Sequence, residues 1–241
     1  MPDTPMTPAA EPAAPAAPAT EDKKNTFSAP FYKIEFYQQY FDVDTADVGS
    51  RILHALLPYR PNFLTTVVPP GALDLYGPFW VSTTVIFVLF AIGNLAHSIK
   101  AFADPNYEFV PDFTTLPWAA TTIYLYILLV PLAVWGIFRY FDTKLSLVRL
   151  YSLIGYGLSV FIPISIICVL PWEIVKWVCT GVLFLITTLF MTSNIWVAAS
   201  AAGARSTILL SVCGGLAAIN AGIALLFKFV FFTYKSVIVA P

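Results

Sequence analysis

The chain has 241 residues, of which 58% are hydrophobic and 11% charged, and its formal net charge is −1. Soluble domains average about 45–50% apolar and about 25% charged residues, so this composition excludes an ordinary soluble globule and points to an integral membrane protein. A near-neutral balance without a clustered basic face also excludes a nucleic-acid partner.

Residues 1–26 contain the run PMTPAAEPAAPAAPATEDKKN. Such a stretch buries too little apolar surface to offset the entropy of ordering, so a disordered Ala/Pro-rich tail is expected. No secretory leader is apparent. The first apolar run long enough to insert begins near Pro78 and is read as an uncleaved insertion signal.

Residues 27–76 change character. Phe31, Ile34, Tyr37 and Phe41 step at near-helical spacing, and Tyr32, Phe36 and Tyr40 form a second stripe. Asp44 is placed to cap a following helix, with Asp47 in its first turn. Val48, Ile52 and Leu56 then make one apolar face, joined by Leu53 and Leu57, and Pro58 ends it. Two short amphipathic segments are expected, lying on the membrane surface or docked on the bundle. Packing within the chain is the plainer reading of the stripes, and a partner-binding surface the sharper one.

Five apolar runs follow, at about 78–99, 118–138, 151–170, 177–199 and 206–232. Each approaches the roughly 20 residues a helix needs to cross the hydrocarbon layer. Helices satisfy their own backbone where water is absent, and the runs lack the alternation of a β-barrel. The fold class is therefore an all-α five-helix transmembrane bundle spanning 77–234, preceded by a cytosolic region and followed by a short tail, 235–241. Basic residues set the expected orientation. Lys23, Lys24, Lys33, Arg51, Arg60, Arg139, Lys144, Arg149 and Arg205 fall on the side of the N-terminus, against Lys100, Lys176, Lys228 and Lys235 on the other. A cytosolic N-terminus and a lumenal C-terminus follow from the positive-inside rule.

The border of the first run reads DLYGPFW, residues 74–80. Pro78 suits a first helical turn, and Gly77 tolerates the turn before it. Tyr76, Phe79 and Trp80 suit the membrane interface. Asp74 is expected to stay in water near the positive end of the helix dipole.

Inside the runs there is no Asp or Glu, and Lys228, the one charge, is near enough to a helix end to snorkel. That argues against proton-coupled or charged-substrate transport. His97 reads as a helix-end residue, and His54 has no companion ligand. Cys168, Cys179 and Cys213 read as small apolar packing. No catalytic constellation, metal site or cofactor site is recognised. Gly214, Ala218 and Gly222 repeat every four residues and form a candidate helix-packing face, with Gly155 and Ser159 a weaker one. Pro131 and Pro163 are expected to kink the second and third helices. Asn194 and Asn220 are candidate polar glue.

These residues resemble a known family. Asp74 to Trp80 resembles the signature at the first membrane helix of the Yip-domain (Ypt/Rab-interacting, YIPF) proteins. YSLIGYGLSVFIP, Tyr151 to Pro163, is similar to that family's Tyr-Gly-Tyr-Ser segment, with Gly157 replacing one polar member. YFDVDTADVGSRILHALLP, Tyr40 to Pro58, and IYLYILLVPLAVWG, Ile123 to Gly136, resemble the family's one/two subgroup. The resemblance implies five membrane helices, a cytosolic N-terminus, residence in Golgi or ER–Golgi membranes, and no catalysis. It also implies partners: Rab-type small GTPases and other Yip-domain membrane proteins, within the lipid bilayer and as a homo- or hetero-oligomer. The motif positions it singles out are Asp74, Leu75, Tyr76, Gly77, Pro78, Gly155, Tyr156 and Pro163. A small channel, a transporter or scramblase of neutral or lipid substrates, and a membrane-shaping protein are the competing readings.

Overall fold

The computed structural model describes residue 41 and residues 43–59, 63–68, 74–103, 111, 113–170 and 172–231. The tail 1–26, the aromatic stripes between Phe31 and Tyr40 and the segment 235–241 lie outside the described residues.

The first described helix, α1, is Thr45–Leu56. Asp44 occupies its N-cap position in extended conformation, but its side chain makes no cap hydrogen bond. Val48, Ile52 and Leu56 pack partly against the core, as their spacing predicts. Leu53 and Leu57 do not join them: they are 60% and 62% exposed. Each lies about 100° round the helix from its apolar neighbour, beyond the edge of the buried stripe. A π-helical turn, Phe63–Val67, follows, closed by Val68 N–H donating to the Phe63 carbonyl at 2.7 Å. Phe63, Leu64 and Val68 are buried almost completely. This wedge lies just before the first span and was not legible as an element.

The spans are α2 (Tyr76–Ala103), α3 (Thr115–Tyr140), the pair α4 (Leu147–Gly157) and α5 (Phe161–Ile167), α6 (Glu173–Ala201), and α7 (Ser206–Leu226) with a π-turn to Phe231. All five are long and apolar enough to cross a membrane. The observed helices begin at or before each predicted run, because amphipathic residues such as Tyr76 and Glu173 continue the helix beyond the hydrocarbon. The third span is central: 72% of its most apolar stretch is buried, against 28–39% in the other four.

The two prolines act differently. Pro163 follows a 3-10 turn, Leu158–Val160, that separates α4 from α5. A proline removes its own N–H donor and crowds the carbonyl four residues back, which here is Ser159, inside that turn. Pro131 lies within α3, which stays α-helical from Thr115 to Tyr140.

Polar groups inside the bundle are mostly answered locally. Thr83, Thr180 and Thr187 donate to carbonyls four residues earlier in their own helices. Both asparagines join elements, as expected. Tyr126 OH donates to Asn220 Oδ1 at 2.8 Å, tying α3 to α7, and Asn194 Oδ1 accepts the Phe63 N–H at 2.8 Å. At the opposite end from α1, Lys228 does not snorkel outward. Its side chain is buried, 3.4 Å from Glu173 and 3.7 Å over the Trp177 ring. A carboxylate and an aromatic face within reach hold the ammonium against the protein. Cys168 and Cys179 are buried and free, as expected of packing residues.

Removing the Tyr126 hydroxyl leaves the Asn220 carbonyl without its donor. Tyr126→Phe should destabilise the bundle by about 0.5–2 kcal/mol, read from reversible unfolding of the full chain in mixed micelles.

Candidate functional site

The chemistry of the chain concentrates where α2 begins. Sequence reasoning placed Asp74 in water; the structure buries it, at 1% exposure. A lone buried carboxylate is too costly to persist, so it must be paired and hydrogen-bonded. Arg51 of α1 forms an ion pair with Asp74 Oδ2. Tyr156 OH of α4 donates to the same oxygen at 2.8 Å. Gly77 N–H donates to Asp74 Oδ1 at 3.2 Å, which caps the open end of α2. The Asp74 main-chain carbonyl accepts the Ser152 hydroxyl at 2.5 Å. One residue thus joins α1, α2 and α4.

Burial works against the charge on Arg51. The Asp74 carboxylate and the Tyr156 hydroxyl outweigh it and hold the guanidinium pKa above its ordinary value. Asp47 lies 3.8 Å from the other side of Arg51, while the buried Arg51 Nε has no hydrogen-bond partner. Three donors converge on the Asp74 carboxylate, so it serves as a fixed acceptor.

The glycines of the two motif blocks are explained by the same junction. An added Cβ on Gly77 would strike the Tyr156 ring, whose hydroxyl is held by Asp74. An added Cβ on Gly155 would lie 2.5 Å from Pro78 Cα, a backbone atom that cannot step aside alone. Gly77 therefore admits Tyr156, and Gly155 admits Pro78. Ser152, Gly155, Tyr156 and Ser159 recur at helical spacing on one face of the third span, and all are buried. Leu75 and Tyr76 are partly buried, while Phe79 and Trp80 are each 50% exposed and stacked edge-on, as interfacial rings should be.

Two predicted features lie elsewhere. Pro163 is exposed, beyond the 3-10 turn and apart from the Asp74 junction. Gly214, Ala218 and Gly222 are exposed on α7, and a Cβ on Gly214 or Gly222 would meet nothing within 4 Å. That face packs against no described element of its own chain.

Arg51, Ser152 and the wedge were missed. Arg51 did carry a signal. It sits among Val48, Ile52 and Ala55 on the apolar stripe, where a cation needs an acid beneath it. The wedge is held by Phe63 stacked near Tyr156 and Phe190, with ring centroids 5.8 and 5.1 Å away, and by Arg149 donating to the Leu64 carbonyl.

Beside the junction, an apolar groove of about 370 Å³ runs between α2 and α3, lined by Leu75, Pro78, Phe79, Ile127, Leu128 and Tyr151 among others. Its hydroxyls are engaged with helices. Tyr151 OH donates to the Leu128 carbonyl, and Ser82 bonds to the Pro78 carbonyl.

No family model matches the chain, and no solved structure matches it. Curated proteins do. "Protein YIPF1 homolog" of Dictyostelium discoideum is 32% identical over 202 residues, covering 84% of this chain and 56% of that relative. "Protein YIP5" of Schizosaccharomyces pombe is 32% identical over 200 residues, covering 80% of this chain and 78% of the relative. The chain thus spans little more than half the length of the first of these relatives.

A methyl group at Gly155 forces backbone apart, whereas one at Gly214 enters open space. Gly155→Ala should lower stability by about 1–3 kcal/mol, and Gly214→Ala should leave it within about 0.5 kcal/mol. Thermal unfolding of the detergent-solubilised chain measures both, and equal effects would refute the steric account.

Proposed function

The chain belongs to the Yip-domain (YIPF) family, and on that premise we propose that it is a non-enzymatic adaptor of vesicle-mediated transport in Golgi or ER–Golgi membranes. Its N-terminus faces the cytosol and its C-terminus the lumen. It engages Rab-type small GTPases through segment 27–76 and the Arg139–Arg149 loop, and other Yip-domain proteins through its helices.

The observation that carries this reading is the Asp74 junction. The two blocks that resemble the family signature, Asp74–Pro78 and Gly155–Tyr156, meet there as one interlocked unit. That supports reading the chain through its family. The outward residues of α1 and the turn that follows it are also suited to a partner: Leu53, Leu57 and Tyr59 are 60%, 62% and 74% exposed. The open small-residue face of α7 suits close approach by a second membrane helix. The lipid-scramblase alternative receives less support. The groove between α2 and α3 is apolar and offers no polar track for a headgroup.

Affinity purification of the full chain from detergent extracts should recover a Rab-type GTPase, and removal of residues 27–76 should reduce that recovery at least tenfold. Undiminished recovery would count against this surface. Gly214→Leu with Gly222→Leu should weaken co-purification of sister membrane proteins more than Leu129→Ala does, since Leu129 is an exposed apolar residue on a different helix, α3.

A further inference from the structure

The chain before the first span has two parts with unequal holds on the bundle. The wedge buries Phe63, Leu64 and Val68 almost completely and makes hydrogen bonds to Asn194 and from Arg149. Helix α1 buries only Arg51 and Ala55. Val48, Ile52 and Leu56 are partly covered, and the N-terminus of the helix has no side-chain cap. Twelve residues make a marginal helix without tertiary support. The polar hold on α1 is Arg51, set against the Asp74 carboxylate and the Tyr156 hydroxyl, beside the partly covered contacts of Val48, Ile52 and Leu56.

We propose that α1 is a lid, latched by Arg51, over a cation-accepting notch formed by Asp74 and Tyr156. Lifting α1 leaves the carboxylate held in place by the Gly77 N–H and the Tyr156 hydroxyl, with Oδ2 now open. The vacated notch has a fixed acid at its floor and apolar walls from Val48's and Ile52's former contacts. It takes a guanidinium or ammonium group presented on an apolar helix face, the chemistry Arg51 itself supplies. The wedge stays seated during this motion, because Asn194 and Arg149 hold its backbone and Phe63 packs against Phe190.

The test uses the detergent-solubilised full chain with Cys168, Cys179 and Cys213 changed to Ser. Single cysteines are placed at Ala55 under the lid, at Leu64 in the wedge and at Ile195 in the bundle, and maleimide labelling rates are compared. Asp74→Asn keeps an oxygen to accept the Gly77 N–H, sets an amide NH2 against the Tyr156 hydroxyl, and removes the charge that holds Arg51. It should speed labelling at Ala55→Cys at least tenfold and leave Leu64→Cys and Ile195→Cys protected. Arg51→Lys, a second variant that keeps a cation in the lid, should give a smaller acceleration of the same selectivity. With the latch intact, a free peptide of residues 44–59 should speed labelling at Ala55→Cys at least threefold, and the same peptide with Arg51→Ala should not. Unchanged rates at Ala55→Cys, or all three sites opening together, would overturn the lid. Equal action of the two peptides would overturn the cation notch.

Discussion

A carboxylate withdrawn from water at the start of the first membrane helix sets the terms for everything around it. Asp74 can be buried only if a cation reaches it, if donors satisfy its oxygens, and if neighbouring backbones come close enough to exclude solvent. Arg51 supplies the first condition. Tyr156 and the Gly77 N–H supply the second. Gly77 and Gly155 supply the third by carrying no side chain where Tyr156 and Pro78 press in. The cost of desolvating such a pair is high, so its retention fixes geometry more than it adds stability. It specifies where α1 docks, where α2 begins and which face of α4 turns inward.

The rest of the bundle follows a different rule. Hydrocarbon offers no hydrophobic drive for one helix to leave lipid for another. Contacts between spans must therefore come from fit and from scattered polar bridges. Tyr126 with Asn220, and Asn194 with the Phe63 N–H, are such bridges, each between elements far apart in sequence. Elsewhere hydroxyls turn back on their own helices, which lets threonine and serine sit in apolar runs without needing a partner helix.

Much of this architecture was readable from residues alone. Twenty-residue apolar runs have few physical solutions, so five spans and an all-α fold could be expected, and the ends of each helix were found within a few residues. The stripe of Val48, Ile52 and Leu56 also announced a docked helix. The interior of the site was harder. Asp74 stands outside every apolar run, and hydropathy assigns such a residue to water; only the approach of Arg51, 23 positions earlier, reverses that. The wedge was hidden for a related reason. FLTTVV is too short for a span and has no helical period, so local pattern cannot show that Phe63 and Leu64 fill a gap between α4 and α6. The small-residue stripe on α7 was legible as a pattern, but its outward direction depends on how the whole bundle closes.

The enclosure of the third span has a consequence for biogenesis. Its inward face carries Ser152, Tyr156, Ser159 and Ser165, all shielded in the finished protein, and its shield includes α6, which is synthesised afterwards. When the nascent third span leaves the ribosome, those hydroxyls have only α1, the wedge and the first two membrane helices beside them. Insertion and final enclosure are therefore separate events for this segment. The hairpin of α6 and α7 arrives as the late wall of a chamber whose central post is already standing.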